Sequence, residues 1–197
     1  MRKVTMAIRI PLLTLGFLIP SGPAGATTAT EQAFPDLVHR AEVIAVGTVT
    51  GIQEQWDPAR QAPVTSVTFS QLTVLKGDPG GESLTLEFLG GHLPDGRILA
   101  VSGVPSFAIG EKTVVFSAGN HQDFCPLVGI WQGLLRVKFD PQRAVEIVSD
   151  HAHRPIIGVQ DGTLLKLRPQ GATQDALPLS TLIQLIQQEQ GRIYGQP

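Results

Sequence analysis

Between Val101 and Phe116 the chain reads Val-Ser-Gly-Val-Pro-Ser-Phe-Ala-Ile-Gly-Glu-Lys-Thr-Val-Val-Phe, and no other stretch restricts the fold as much. Pro105 locks its own φ and removes a backbone donor, which pushes Val104 extended and interrupts any strand ladder there. Gly110-Glu111-Lys112 is a turn, with glycine supplying the positive φ that other residues resist. Thr113 to Phe116 is β-branched and apolar without alternation, the pattern of a strand covered on both faces. A chain built round such a strand is a β-rich globular domain.

The neighbouring segments extend that reading. Phe34 to Ala41 predicts a short helix, with Pro35 in its first turn and His39 and Arg40 where positive charge suits the macrodipole. Val43 to Ile52 predicts a curved first strand, and Gln53 to Pro63 a hairpin-like loop. Val64 to Leu75 is a second strand whose apolar parity switches after Phe69, which places a bulge near Ser70 and Gln71. Ser83 to Phe88 alternates cleanly, with Leu84, Leu86 and Phe88 inward and Glu87 outward. Further strands are expected over 97–102, 113–118, 127–131 with 134–139, 145–148, 155–159 and 162–167. Ser180 opens a last amphipathic helix to Gln190, stopped by Gly191. The fold class expected is mainly β: a small OB-like antiparallel barrel, or a sandwich, with a short N-terminal helix and a C-terminal amphipathic helix.

Residues 1–26 have the form of a signal peptide. Arg2, Lys3 and Arg9 are followed by an apolar stretch, a Pro-Gly break and the small residues Ala24-Gly-Ala26, so the mature chain is expected to begin at Thr27 in the periplasm or outside the cell. The domain plan is then 27–168 for the barrel and 169–197 for a linker and the last helix. With those three basic residues gone, 12 basic face 17 acidic residues, a formal charge of −5. That balance, with no basic run, argues against nucleic acid and anionic lipid as partners. No later stretch is apolar enough to span a membrane. Cys125 is the only cysteine, so no disulfide supports the fold, and between Phe124 and Pro126 it reads as a small buried hydrophobe.

Several runs resemble an uncharacterised family of exported bacterial proteins. They are Val43-Ile-Ala-Val-Gly-Thr-Val49, Leu72-Thr-Val-Leu-Lys-Gly77, Gly103 to Glu111 with Val114-Val-Phe116, and Gly129-Ile-Trp-Gln-Gly133. The strand with Val-Gly-x-Val, the one ending Val-Leu-Lys-Gly and the Gly-Glu-Lys turn are also similar to the netrin-like, OB-type barrel of tissue metalloproteinase inhibitors. That resemblance implies a barrel with a binding role. The inhibitors act through an N-terminal cysteine that ligates the protease metal. Here the lone Cys125 lies far from Thr27, so that mechanism does not carry over.

The chemistry-bearing candidates are few. Asp150-His-Ala-His153, if extended, would point His151 and His153 to one face, an arrangement that suits a divalent metal such as zinc. A third ligand would come from His121, Asp150, Asp123 or His92. The bland alternative is a polar turn before Arg154-Pro155. His121, Asp123 and Cys125 alternate, yet lie too far apart along a strand for a Cys–His nucleophile pair. No metalloprotease, nucleophile-elbow or phosphate-loop motif is present, and no catalytic residue is assigned. Trp56 and Trp131 are the candidate binding anchors, with residues 53–63 and 89–96 as contact loops. Three functions stay open: a non-catalytic binding module with no cofactor, whose partner is an exported protein; a metal-binding protein or metal-dependent hydrolase; and a structural accessory of a surface or secretion assembly that docks through its last helix.

Overall fold

The computed structural model describes residues 30–166 and 175–194. The expected signal peptide and the proposed linker at 169–174 lie outside the described residues. Helix α1 (Phe34–Arg40) leads into the long strands β1 (Val43–Asp57) and β2 (Ala62–Lys76), then β3 (Leu84–Leu89) and a small hairpin, β4 (Gly91–His92) and β5 (Ile98–Leu99). Strands β6 (Lys112–Ser117), β7 (Leu134–Asp140) and β8 (Val145–Ser149) follow, then the hairpin β9 (Ile156–Gln160) and β10 (Thr163–Lys166), and helix α2 (Leu179–Tyr194). The main sheet is antiparallel with the order β3-β2-β1-β6-β7-β8.

Strand β6 lies inside this sheet, and Thr113 to Ser117 are all buried, as its unbroken apolar run requires. Its residues alternate between two cores. Val114 and Phe116 join Ile44, Val46 and Leu135 beneath α1 and α2, while Val115 joins Ala45, Val49, Phe69, Leu86 and Phe88 on the opposite face. Leu182 and Ile186 of α2 are fully buried against the first core, and Ile183 packs against it. The last helix therefore spends its apolar face inside this molecule. That weighs against its serving as a free docking element.

The sheet does not close into a barrel. Both end strands are occupied by short covering segments rather than by each other. At β3, the Asn120 side chain takes the Glu87 N–H at 3.0 Å and donates to the Thr85 carbonyl at 2.8 Å, and the Phe124 carbonyl accepts from Leu89 N–H. At β8, Val148 N–H donates to the Leu177 carbonyl at 3.0 Å, and Ile147 and Ser149 bridge to Pro178 and Pro155. Strand edges satisfied in this way need no barrel closure and offer no template for pairing.

Local chemistry sets the remaining differences from expectation. Residues 53–63 are mostly strand, not loop: β1 and β2 pair out to Asp57–Ala62, and only Pro58 to Gln61 turns. Asp57 Oδ1 accepts from the N–H groups of Ala59 and Arg60, which makes that turn tight. The bulge lies where the parity switch places it. Val46 pairs with Thr73 and Thr48 with Ser70, so Gly47 faces both Gln71 and Leu72. The strand expected over 127–131 is instead a bridge at Leu127 followed by a 3-10 turn, because Gly129 and Ile130 both take left-handed φ values, 65° and 63°. The strand expected over 97–102 shrinks to Ile98–Leu99. Helix α2 starts one residue before Ser180 and runs through Gly191.

Candidate functional site

A cleft of about 310 Å³ opens on the face of the β1–β2 hairpin that carries the second core. Its floor is Ile52, Glu54, Thr65 and Val67 of the hairpin with Phe88 of β3, and Leu89 to Gly91 form one wall. The roof is Leu99 to Val101 and Val104 to Phe107, the first part of the stretch that most restricts the fold.

Two attachments hold that roof down. Phe107 packs against Phe69 and Phe88, with ring centroids at 5.8 and 5.0 Å, the first edge-on. Arg136 of β7 is 5 % exposed and spends its whole guanidinium on three acceptors. Nη1 donates to the Glu111 carboxylate, Nη2 to the Ser106 carbonyl at 2.8 Å, and Nε to the His151 carbonyl at 3.0 Å. Glu111 also accepts from Ala108 N–H, and Gly110 and Glu111 continue the ladder to Val49. The turn and the roof are thus fixed to the sheet through one buried cation.

The polar part of the cleft centres on Glu54. Its Oε2 accepts from the His92 N–H at 2.8 Å and contacts His92 Nδ1 at 2.5 Å. The hydrogen bond from the His92 ring, then that from its backbone, hold the Glu54 carboxyl below the usual carboxylate range. Thr65, directly across from Glu54 in the ladder, donates its hydroxyl to the Gly90 carbonyl at 2.9 Å. Trp56 lies two residues beyond Glu54 on the same side of β1 and is 42 % exposed.

The segments 53–63 and 89–96, named from the sequence as contact loops, therefore meet at one place. Gly90 N–H also donates to the Pro63 carbonyl at 2.8 Å. Trp131 is elsewhere, in the 3-10 turn, tilted against the His151 ring at 5.7 Å and close beneath Gly103. Glu54 itself went unnamed in the sequence reading, although Ile52, Glu54 and Trp56 share one parity, which is the signal that continues the strand past Ile52.

The histidines do not assemble. Residues 150–154 form a turn rather than the extended run that would align two imidazoles. Asp150 Oδ1 accepts from the N–H groups of Ala152 and Arg154, both at 2.9 Å, its Oδ2 pairs with the Arg154 guanidinium, and His153 takes a φ of 62°. His151 is half-buried against Trp131, and burial lowers its pKa. His121 points to Glu87 Oε2 at 3.0 Å on β3, at the other end of the sheet order. Among the described residues, no three His, Cys, Asp or Glu side chains are grouped to hold a metal ion.

Cys125 is 5 % exposed, and burial pushes its thiol up to about 12, opposed by the Leu127 N–H and aided by the charge of Asp123. We expect a disulfide reagent at pH 8 to leave the native protein unmodified and to label it stoichiometrically in concentrated guanidinium chloride. Equal rates in both states would contradict this placement. No helix among the described residues is long and apolar enough to cross a membrane. Compared with protein-family models, curated proteins and solved structures, the chain matches none of them.

Proposed function

We propose that the protein is an exported, non-catalytic binding module whose ligand occupies the cleft between the β1–β2 hairpin and the 99–107 roof. One observation carries this reading: the two contact segments converge on a single concavity with an apolar floor, a fixed roof and one charged side chain. Ligand sites commonly have that composition, an apolar lining with a few placed polar groups, in volumes from about 300 Å³ upward. The pattern of residues 1–26 supports export. The long, bulged β1–β2 hairpin supports kinship with OB-type barrels, here with the two sheet edges covered separately.

The test is a fragment screen by ligand-observed NMR on the wild-type protein and an Ala100→Trp variant. Ala100 is exposed and lines the cleft, so a bulky ring there fills the site without disturbing a core. Fragments should bind the wild type in the micromolar-to-millimolar range and lose contact in the variant, with the melting temperature unchanged. Fragments that bind both proteins equally, or none that bind either, would rule the cleft out as the functional site.

A further inference from the structure

We infer that the ligand of this cleft is a small organic cation, an apolar body with one protonated amine seated against Glu54. This deepens the binding-module reading and rests on it. Three observations point the same way.

The lining holds one ionisable side chain, the Glu54 carboxylate, and no Lys, Arg or His. An anionic ligand would meet repulsion from this carboxylate, and a neutral one would desolvate it with His92 as its one partner, which is costly. The carboxylate is also only half used. Both hydrogen bonds from His92 go to Oε2, and among the described residues Oε1 has no hydrogen-bond partner. A cleft-lining carboxylate held at one oxygen with the other unbonded suits a charge-assisted N–H donor.

The neighbouring polar group in the floor is an acceptor as well. The Thr65 hydroxyl proton is committed to the Gly90 carbonyl, so its oxygen presents lone pairs to the cleft. Glu54 Oε2 and Thr65 Oγ1 lie side by side, each 3.2 Å from the point where a side chain on Gly91 would begin. Glu54 Oε2 already accepts from His92, so the acceptors left for a ligand are Glu54 Oε1 and the Thr65 hydroxyl oxygen, and an ammonium, which only donates, suits both.

Beyond this pair and the Ser106 side chain of the roof, the side chains lining the cleft are apolar, among them Ile52, Val67, Phe88, Val104 and Phe107. Trp56 does not line the cleft but follows two residues on, exposed and on the same side of β1 as Glu54. The volume suits a body of a single ring or short chain rather than a folded partner.

The experiment uses three matched probes on the full chain: 2-phenylethylamine, 2-phenylethanol and phenylacetate, titrated by NMR at low ionic strength. The amine should bind about tenfold tighter than the alcohol, and phenylacetate should show no saturable binding. Glu54→Gln should bring the amine to the level of the alcohol while leaving the alcohol unchanged, which separates lost charge from lost fold. Alcohol binding equal to amine binding in the wild type, or a preference that survives Glu54→Gln, overturns the inference. If fragments bind the cleft but no amine is preferred, the cation assignment alone falls; if nothing binds, the binding-module reading falls with it.

Discussion

Replacing Arg136 by Met is expected to destabilise the protein by about 3 kcal/mol and to lower the urea midpoint by about 1.5 M. The guanidinium is buried under the 105–111 segment and satisfies a carboxylate and a carbonyl of that segment together with the His151 carbonyl. Methionine fills similar space, so the cost is mainly electrostatic. It strands the Glu111 carboxylate, whose side chain is 16 % exposed, and leaves the Ser106 and His151 carbonyls without donors. Adding Glu111→Gln to Arg136→Met should recover about 1 kcal/mol, since the stranded charge is gone while the orphaned carbonyls remain. A single mutant within about 0.5 kcal/mol of wild type would mean that the roof is not held by this pair.

The same substitution carries a local signature. Amide exchange at 106–111 should accelerate beyond the global loss, because Phe107 would be left as the main roof attachment. Uniform acceleration throughout the protein would instead make Arg136 an ordinary contributor to the fold, with no special hold on the cleft.

Arg136 also shows where sequence reading stops. In Leu134-Leu-Arg-Val-Lys-Phe139, Arg136 and Lys138 share a parity, yet one is buried and the other exposed. The difference is made by Glu111, 25 residues away, and no local pattern reports it. Features set by near neighbours were legible. The unbroken run of β6, the alternation of β3, the bulge opposite Gly47 and the apolar stripe of α2 all appear where periodicity places them. Barrel closure was not legible, because it depends on what reaches the two outer edges. Asn120 and the 176–178 segment cover them through single hydrogen bonds and bridges that have no compositional signal. The cleft was half legible. The two contact segments were visible as a loop and a Gly-rich run, whereas Glu54 was hidden by taking Gln53 to Pro63 as loop, and Trp56, the loop-borne aromatic, does not line the cleft. The paired histidines misled for a related reason: Asp150 next to them is a turn former, and its hydrogen bonds with Arg154 outweigh any extended arrangement.

Gly77→Ala is expected to cost about 3 kcal/mol, although the residue is exposed and touches no core. Gly77 follows the last residue of β2 and closes the Val-Leu-Lys-Gly run that the resemblance singled out. Lys76 is anchored there by hydrogen bonds from Nζ to the Val38 and His39 carbonyls, at 2.8 and 2.9 Å, across the C-terminal end of α1. The chain then crosses Glu42 so closely that a Cβ on Gly77 would lie 1.9 Å from the Glu42 carbonyl oxygen. Glu42 cannot give way easily, since its N–H is bonded to the Ser117 carbonyl at 2.8 Å. Alanine at 77 therefore brings two penalties: a positive φ of 75°, and a collision with backbone that the sheet holds in place. Gly80→Ala separates them. Its φ is 80° and no atom lies within 4 Å of the added Cβ, so it carries the conformational penalty alone, about 1 kcal/mol. Urea denaturation of both variants beside wild type measures the difference. If the two substitutions cost the same, the crossing at Glu42 contributes nothing, and the glycine is required only for its φ.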